Sequence, residues 1–525
     1  MRTQLHPRSV RAPGAMVVSA DQLATQAGLT ALALGGNAID AAIATNAAIA
    51  VTGPHLCGMG GDLFALVHDG SHVHALNASG RAGSGADSAA LRAEGHTSMP
   101  YRHDIRAVTV PGCVDGWHVL HERFGRLPLP RVLAPAIQLA EHGFPASPLL
   151  VGSVERLDGR ARAQLGDVVE QALRPGSRVR RPGAAAALRA ITQHGRDGFY
   201  RGEFGRGLIT LGDGQYTDDD LTNPAAEWVS PLAIEAFGRR LHTIPPNSQG
   251  YLLLGASALA SRLALPTDPD DPAWAHLLIE AAKAAGRDRP DVLHDGADGD
   301  LLLAAIAGRA SEIDPHRARP VAGRVGHGDT TYLCTIDDDR MAVSLIQSNA
   351  SGFGSWLAEP NTGINLHNRG IGFSLEPGHP AELAPGRRPP HTLSPALATH
   401  PDGNLAAVFG TMGGDAQPQI LLQLAARLFR HEQSPAAAIA APRWILSGPE
   451  TGFDTWTGAA GPHVVLEAHG VDSWRSGLVE RGHDIRVEPQ FSSSFGHAHA
   501  IVVGADGMLA GACDPRAVVG SAGGR

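Results

Sequence analysis

The sequence predicts a layered α/β protein in which stacked sheets are covered on the outside by helices. Three observations predict it: period-two runs around residue 330, small-residue helical runs well ahead of them, and one strong helix behind. The first period-two run is Thr331-Tyr332-Leu333-Cys334-Thr335-Ile336-Asp337, and the second is Met341-Ala342-Val343-Ser344-Leu345-Ile346-Gln347-Ser348. The tight run Gly326-His327-Gly328-Asp329 puts Thr330 at the mouth of the first strand, and Gly352-Phe353-Gly354-Ser355 breaks the chain after the second.

Taken in order, residues 21–34 carry Leu23, Ala24, Ala27, Leu29, Leu32 and Ala33 at helical spacing. Asp21 is the N-cap and Gly35-Gly36 the stop. A second helix over 38–51 is rich in alanine, which permits close helix packing. Gly58-Met59-Gly60-Gly61 then forms a turn into a buried strand, Asp62-Leu63-Phe64-Ala65-Leu66-Val67. Residues 129–260 alternate short helical stretches with breaks such as Pro182-Gly183 and Pro245-Pro246-Asn247-Ser248-Gln249-Gly250. Residues 266–324 are rich in Asp, Pro, Ala and Arg, and predict a helix over 273–285 followed by a mobile Gly/Asp-rich loop leading to Thr330. Beyond Thr330 the period is mainly two, interrupted by one helix over 418–432.

Composition narrows the function. The chain has 525 residues, 43% hydrophobic and 18% charged, with a net charge of −9. Lys283 is its single lysine. No basic patch for nucleic acid or a membrane surface is present. Cys57, Cys113, Cys334 and Cys513 are far apart, lack CxxC spacing, and read as buried thiols. Met1-Arg2-Thr3-Gln4-Leu5-His6-Pro7-Arg8 leads into mixed polar sequence without the apolar region of a secretory signal, and no apolar run is long enough for a membrane span. A cytoplasmic location is expected. Lys283 follows Ala282, so no Gly-Lys-Ser/Thr phosphate loop exists, and no Gly-x-Ser-x-Gly elbow is present. His497 and His499 share a strand face, but no third ligand lies near them in sequence, so neither a metal nor a cofactor is expected.

Thr330 is the residue on which chemistry can be built. A hydroxyl at a loop-to-strand joint suits a self-cleaving amidohydrolase. Breaking the Asp329–Thr330 bond would expose a threonine whose own α-amine serves as general base. A free α-amine has a reference pKa of about 7.7–8.0, so it accepts a proton at neutral pH where a lysine mostly cannot. By itself a Thr-Thr pair ahead of a strand is ordinary, because β-branched residues favour strands.

Seven short pieces, in order, make the case stronger. They are Gly35-Gly36-Asn37-Ala38-Ile39-Asp40-Ala41-Ala42, Gly58-Met59-Gly60-Gly61-Asp62, Val110-Pro111-Gly112-Cys113-Val114-Asp115-Gly116, Asp329-Thr330-Thr331, Gly363-Ile364-Asn365-Leu366-His367-Asn368, Gly413-Gly414 and Asp514-Pro515-Arg516. Over nearly its whole length the chain resembles the γ-glutamyltransferase family of N-terminal-nucleophile hydrolases. The resemblance implies an α+β fold, a four-layer αββα sandwich of two intertwined subunits cut from one precursor. The large subunit would be residues 1–329 and the small catalytic subunit residues 330–525. It also implies roles: Thr330 as nucleophile with its α-amine as base, Ser348 supporting that hydroxyl, Thr331 as an orienter, and the N–H groups of Gly413 and Gly414 as oxyanion hole. Arg81, in Ser79-Gly80-Arg81-Ala82, is similar to the family arginine that grips a substrate carboxylate.

Four positions depart from the best-known members. Gly372 stands where they carry an aspartate for the substrate ammonium, His391-Thr392 where they carry paired serines, Ala350 for an asparagine, and Arg369 for a glutamine. Loss of a carboxylate and gain of a guanidinium make a pocket that prefers an anion without an amine. The family default is hydrolysis or transfer of γ-glutamyl compounds such as glutathione. The altered pocket points to small amides that carry a carboxylate, such as oxamate, or to a cephalosporin-acylase-like substrate, with water or an amine as acceptor. A non-catalytic descendant that binds an anionic metabolite without cutting itself is the remaining reading.

Overall fold

The structure is a computed structural model that describes residues 8–319, 330–447, 456 and 463–525. Two seven-stranded sheets, each antiparallel throughout, lie face to face. The first runs in the order Ser521–Gly524, Met16–Ser19, Thr331–Ile336, Ala342–Ser348, Asp62–His68, Val73–Ala78, Glu227–Val229. The second runs Val10–Ala12, Leu509–Ala512, Ala498–Val503, Leu405–Thr411, Ala396–Thr399, Arg239–Thr243, Leu232–Ala236.

Strand alternation builds the layers. Phe64, Leu66, Tyr332, Cys334 and Ile346 of the first sheet meet Leu397, Val408, Ile501 and Leu509 of the second, forming the central core. The intervening residues Leu63, Ala65, Val67, Leu333, Val343 and Leu345 face outward into the helices Gln22–Ala33, Ala38–Thr52, Cys113–Phe124 and Leu129–His142. On the opposite side, Leu241, Ala398, Ala407, Phe409 and Ala500 pack under Tyr251–Ala260, Pro272–Gly286 and Gln417–Ala425. The result is the αββα sandwich expected. Each sheet holds strands from both sides of Thr330, so the segments before and after it share one core.

The first two helices match the sequence reading. Asp21 accepts the Leu23 N–H, and all fifteen residues of Ala38–Thr52 are buried, as their small side chains permit. Three expectations need correction. The region after the helix Pro272–Gly286 is not loop throughout: Arg289–Val292 and Gly299–Ala307 are helical, with Asp298 capping the second through the N–H groups of Asp300 and Leu301. Aspartate and glycine there are a helix start, not a linker. Residues 129–260 hold strands as well as helices, because Arg239–Thr243 and Leu232–Ala236 extend the second sheet beyond Ala396–Thr399. Beyond Thr330 the long helix Gln417–Ala425, widened into a π turn over Ala426–Arg430, is joined by Pro435–Ala440 and Val471–Glu480.

The cysteines are free thiols, with Cys57, Cys113 and Cys334 buried and Cys513 partly exposed. Burial raises the Cys513 thiol to about 11 and the other three further. Titration of the native protein with a thiol reagent at neutral pH is expected to modify at most Cys513, slowly, and all four after unfolding. Rapid modification of two or more in the native state would contradict this core.

Candidate active site

Register decides what Thr330 meets. Thr331 pairs with Gln347 across the antiparallel ladder, so the preceding residue lies against Ser348. The two hydroxyls are 3.0 Å apart, and both side chains are buried. Ser348 Oγ also accepts the Ala350 N–H at 2.8 Å. The chain turns sharply there, with Ala350 at φ +71° in the left-handed region, where the asparagine usual in the resembling family is better tolerated.

On the other flank, Ser348 pairs in register with Asp62. Asp62 is wholly buried, yet its carboxylate is well supplied: Oδ1 accepts the N–H groups of Gly80 (2.9 Å) and Gly112 (3.2 Å), and Oδ2 lies 3.2 Å from His391 Nε2. Burial raises this carboxyl, but the His367 and His391 rings and the Gly80 N–H more than reverse it, to about 2. His391 Nδ1 accepts the Leu393 N–H at 3.2 Å, which fixes the proton on Nε2, where it donates to Asp62. Burial and the nearby Arg369 guanidinium lower His391 to about 3, so the ring is neutral at physiological pH.

Arg369 is the fixed cation of this site. It is 1% exposed, and its Nη1 donates to Thr392 Oγ1 at 3.1 Å. Burial lowers it only to about 10, with Asp62 and Asp415 holding it up, so it stays protonated. Arg369, Thr392, Gly372 and Arg289 line a cavity of about 330 Å³. Arg289 itself bridges to Asp415 at 3.2 Å. A Cβ at Gly372 would fall 2.4 Å from the Pro390 carbonyl oxygen, so this backbone leaves no room for an acidic side chain there.

Gly413 and Gly414 directly precede Asp415, the partner of the cavity-lining Arg289. Both have positive φ, +137° and +56°, which only glycine adopts cheaply, and Gly414 opens a 3₁₀ turn. Among the described residues neither N–H has an acceptor in the protein. Gln249 joins them to the cation pocket, its Nε2 donating to the Gly414 carbonyl (3.0 Å) and the Thr392 carbonyl (2.9 Å).

A chain of contacts thus links Thr330 and Ser348, through Asp62, His391 and its neighbour Thr392, to Arg369 and, through Gln249, to Gly414 and the adjoining Gly413. His391 lies beneath them, turned to Asp62. Thr331 contributes backbone pairing; its buried hydroxyl has no partner among the described residues. Arg81 is half-exposed, its guanidinium set on the Gly386 carbonyl (3.1 Å), Asp295 (3.5 Å) and Glu227 (3.9 Å), none of them part of this group. Asp329, on the other side of the expected cut, lies outside the described residues. His497 bonds Ser493 through Nε2, and His499 Nδ1 accepts the Asp514 N–H. Among the described residues, His276, Glu280 and His483 could together ligate a cation, but their atoms are committed: the rings bond each other at 2.8 Å and Lys283 sits 2.9 Å from Glu280. Sequence reading passed over Asp62, Gln249 and Arg289. For Asp62 a signal was there, since an acid that opens an apolar strand is buried and needs partners.

The sequence profile of the family described as Gamma-glutamyltranspeptidase matches residues 24–524. The chain belongs to the γ-glutamyltranspeptidase family. Among relatives of this family, the chain is 38% identical to the oxamate amidohydrolase proenzyme of Klebsiella pneumoniae, covering 99% of this chain and 100% of that one. It is 34% identical to the glutathione hydrolase-like YwrD proenzyme of Bacillus subtilis, over 97% and 98% of the two chains. The crystal structure of a cephalosporin acylase from Bacillus halodurans superposes with a TM-score of 0.89 at 34% identity, over 100% of this chain and 99% of that one. γ-Glutamyltranspeptidase-like proteins are amidohydrolases of the N-terminal-nucleophile type, and this chain is an enzyme of that kind.

Ser348→Ala removes the hydroxyl partner of Thr330 and is expected to slow any step through the Thr330 oxygen by up to about tenfold. Ser348→Thr should restore it. Single-turnover kinetics read both, and an unaffected Ser348→Ala protein would dissociate the hydroxyl pair from the chemistry.

Proposed function

We propose that this protein is a self-processing amidohydrolase that cuts itself between Asp329 and Thr330 and then hydrolyses a small amide carrying a carboxylate but no α-ammonium group. In self-processing, Thr330 Oγ adds to the Asp329 carbonyl carbon. The peptide C–N bond then breaks to leave an ester and a free α-amine, and water hydrolyses the ester. Residues 1–329 and 330–525 become two subunits that share both sheets. In turnover the α-amine takes the Thr330 hydroxyl proton as Oγ attacks the substrate carbonyl. The N–H groups of Gly413 and Gly414 receive the oxyanion, the proton passes to the departing amine, and water, or an amine in transfer, resolves the acyl-enzyme.

One observation carries the substrate class: a buried, protonated Arg369, anchored on Thr392, walls the cavity tied through Gln249 to the oxyanion glycines. A permanent cation there favours a carboxylate and repels an ammonium. Gly372, closed off by the Pro390 carbonyl, leaves no room for an acidic side chain at that point. Oxamate, an amide one bond from a carboxylate, has the matching charge and size, and the likeness to the Klebsiella enzyme supports it. Glutathione, the family default, carries the α-ammonium that this pocket disfavours.

Steady-state kinetics on oxamate and glutathione test the reading. Oxamate should be the better substrate, and Arg369→Gln should lower kcat/KM for it by roughly 10- to 100-fold, mainly through KM, with self-cleavage intact. Arg81→Ala should have the smaller effect of the two. Preferential turnover of glutathione, or an indifferent Arg369→Gln variant, would overturn the assignment.

A further inference from the structure

An amide has two halves, and the pocket at Arg369 accounts for only the acyl half. A second cavity, of about 390 Å³, is walled by residues that adjoin the candidate site along the chain. Met412 lines it and directly precedes Gly413, so their Cα atoms are about 3.8 Å apart. Ser351, Gly352 and Phe353 line it too, and Ser351 follows three residues after Ser348. The second cavity is thus walled by chain neighbours of Ser348 and of Gly413. None of the residues that line the first cavity lines the second.

The second cavity has a different chemistry. Its walls include three aromatic rings, Tyr101, Phe353 and Trp356. Arg102 is clamped between Tyr101 and Trp356, 4.5 Å from each ring centroid, and donates to Ser351 Oγ at 2.7 Å. That clamp fixes the rings and occupies the cation. Trp356 Nε1 donates to the Gly352 carbonyl at 2.9 Å, which holds the indole in place. On the opposite wall, Ser493 is held 2.8 Å from Nε2 of the buried His497, leaving a positioned hydroxyl at the cavity surface. Ammonia, the leaving group of a primary amide, needs no such space.

We infer that this cavity receives the amine half of the substrate, and that this half carries an aromatic ring stacked against Trp356. The inference rests on the acyl carboxylate lying at Arg369. The substrate is then an N-aryl or N-arylalkyl amide. When its C–N bond breaks, the aromatic amine departs from the second cavity as a neutral amine, with the proton that Thr330 gave up to its own α-amine. Trp356 acts here on specificity, through the departing or accepting amine.

The test uses two substrates with the same acyl half, oxamate and N-phenyloxamate, on the processed enzyme and on Trp356→Ala and Trp356→Phe. The expected result is kcat/KM at least about tenfold higher for N-phenyloxamate with the wild type, lost in Trp356→Ala, kept in Trp356→Phe, and unchanged for oxamate in both variants. Equal use of both substrates, or an equal effect of Trp356→Ala on both, would overturn the inference and leave the Arg369 reading standing. Turnover of neither by a processed enzyme that hydrolyses glutathione would overturn the Arg369 reading, and this inference with it.

Discussion

The pairing of Thr331 with Gln347 is the constraint on which the rest depends. A slip of one residue would turn every side chain of Thr331–Ile336 to the other face, taking Tyr332 and Cys334 out of the central core and Thr330 away from Ser348. The same alternation that fills the space between the sheets thus sets the Thr330 hydroxyl against Ser348. Because both strands are wholly buried, the register is fixed by two cores at once.

Near that hydroxyl the protein buries several charged side chains. Asp62, Arg369, Asp415 and Arg289 are all buried, with neutral His391 holding Asp62 from below. Isolated charges would be costly here, so backbone N–H groups, a hydroxyl and opposite charges compensate them. What results is a buried cation at Arg369 on Thr392, which Gln249 ties to the carbonyl of Gly414. Such preorganisation suits a site that stabilises an anionic intermediate while gripping an anionic substrate.

Much of the fold was legible in the sequence. Period-two runs gave the strands around Thr330, and alanine-rich periodicity gave the two helices that pack on them. The segment Asp298-Gly299-Asp300 was harder, because the residues that cap a helix are those that make a loop, and the four hydrophobic residues Leu301, Leu302, Leu303 and Ile306 decide the matter only in context. The strand Arg239–Thr243 was masked by arginines at its exposed start. Thr330, Ser348, Gly413 and Gly414, the candidates for the site, could be named from short motifs. The charge belt could not: Asp62 and His391 are 329 residues apart, and nothing local to either says that they meet. The turning of His391 towards Asp62, and the commitment of Arg81 to Asp295 and Glu227, are likewise products of tertiary packing.

The central claim is that Thr330 becomes an N-terminus and acts from there. Its most direct test is the intact mass, under denaturing conditions, of purified wild-type protein and of Thr330→Ala. The account predicts two fragments meeting between Asp329 and Thr330 for the wild type, which run together in native conditions, and one uncut, inactive chain for the variant. An uncut, active wild type, or a Thr330→Ala protein that still cuts at this bond, would contradict it.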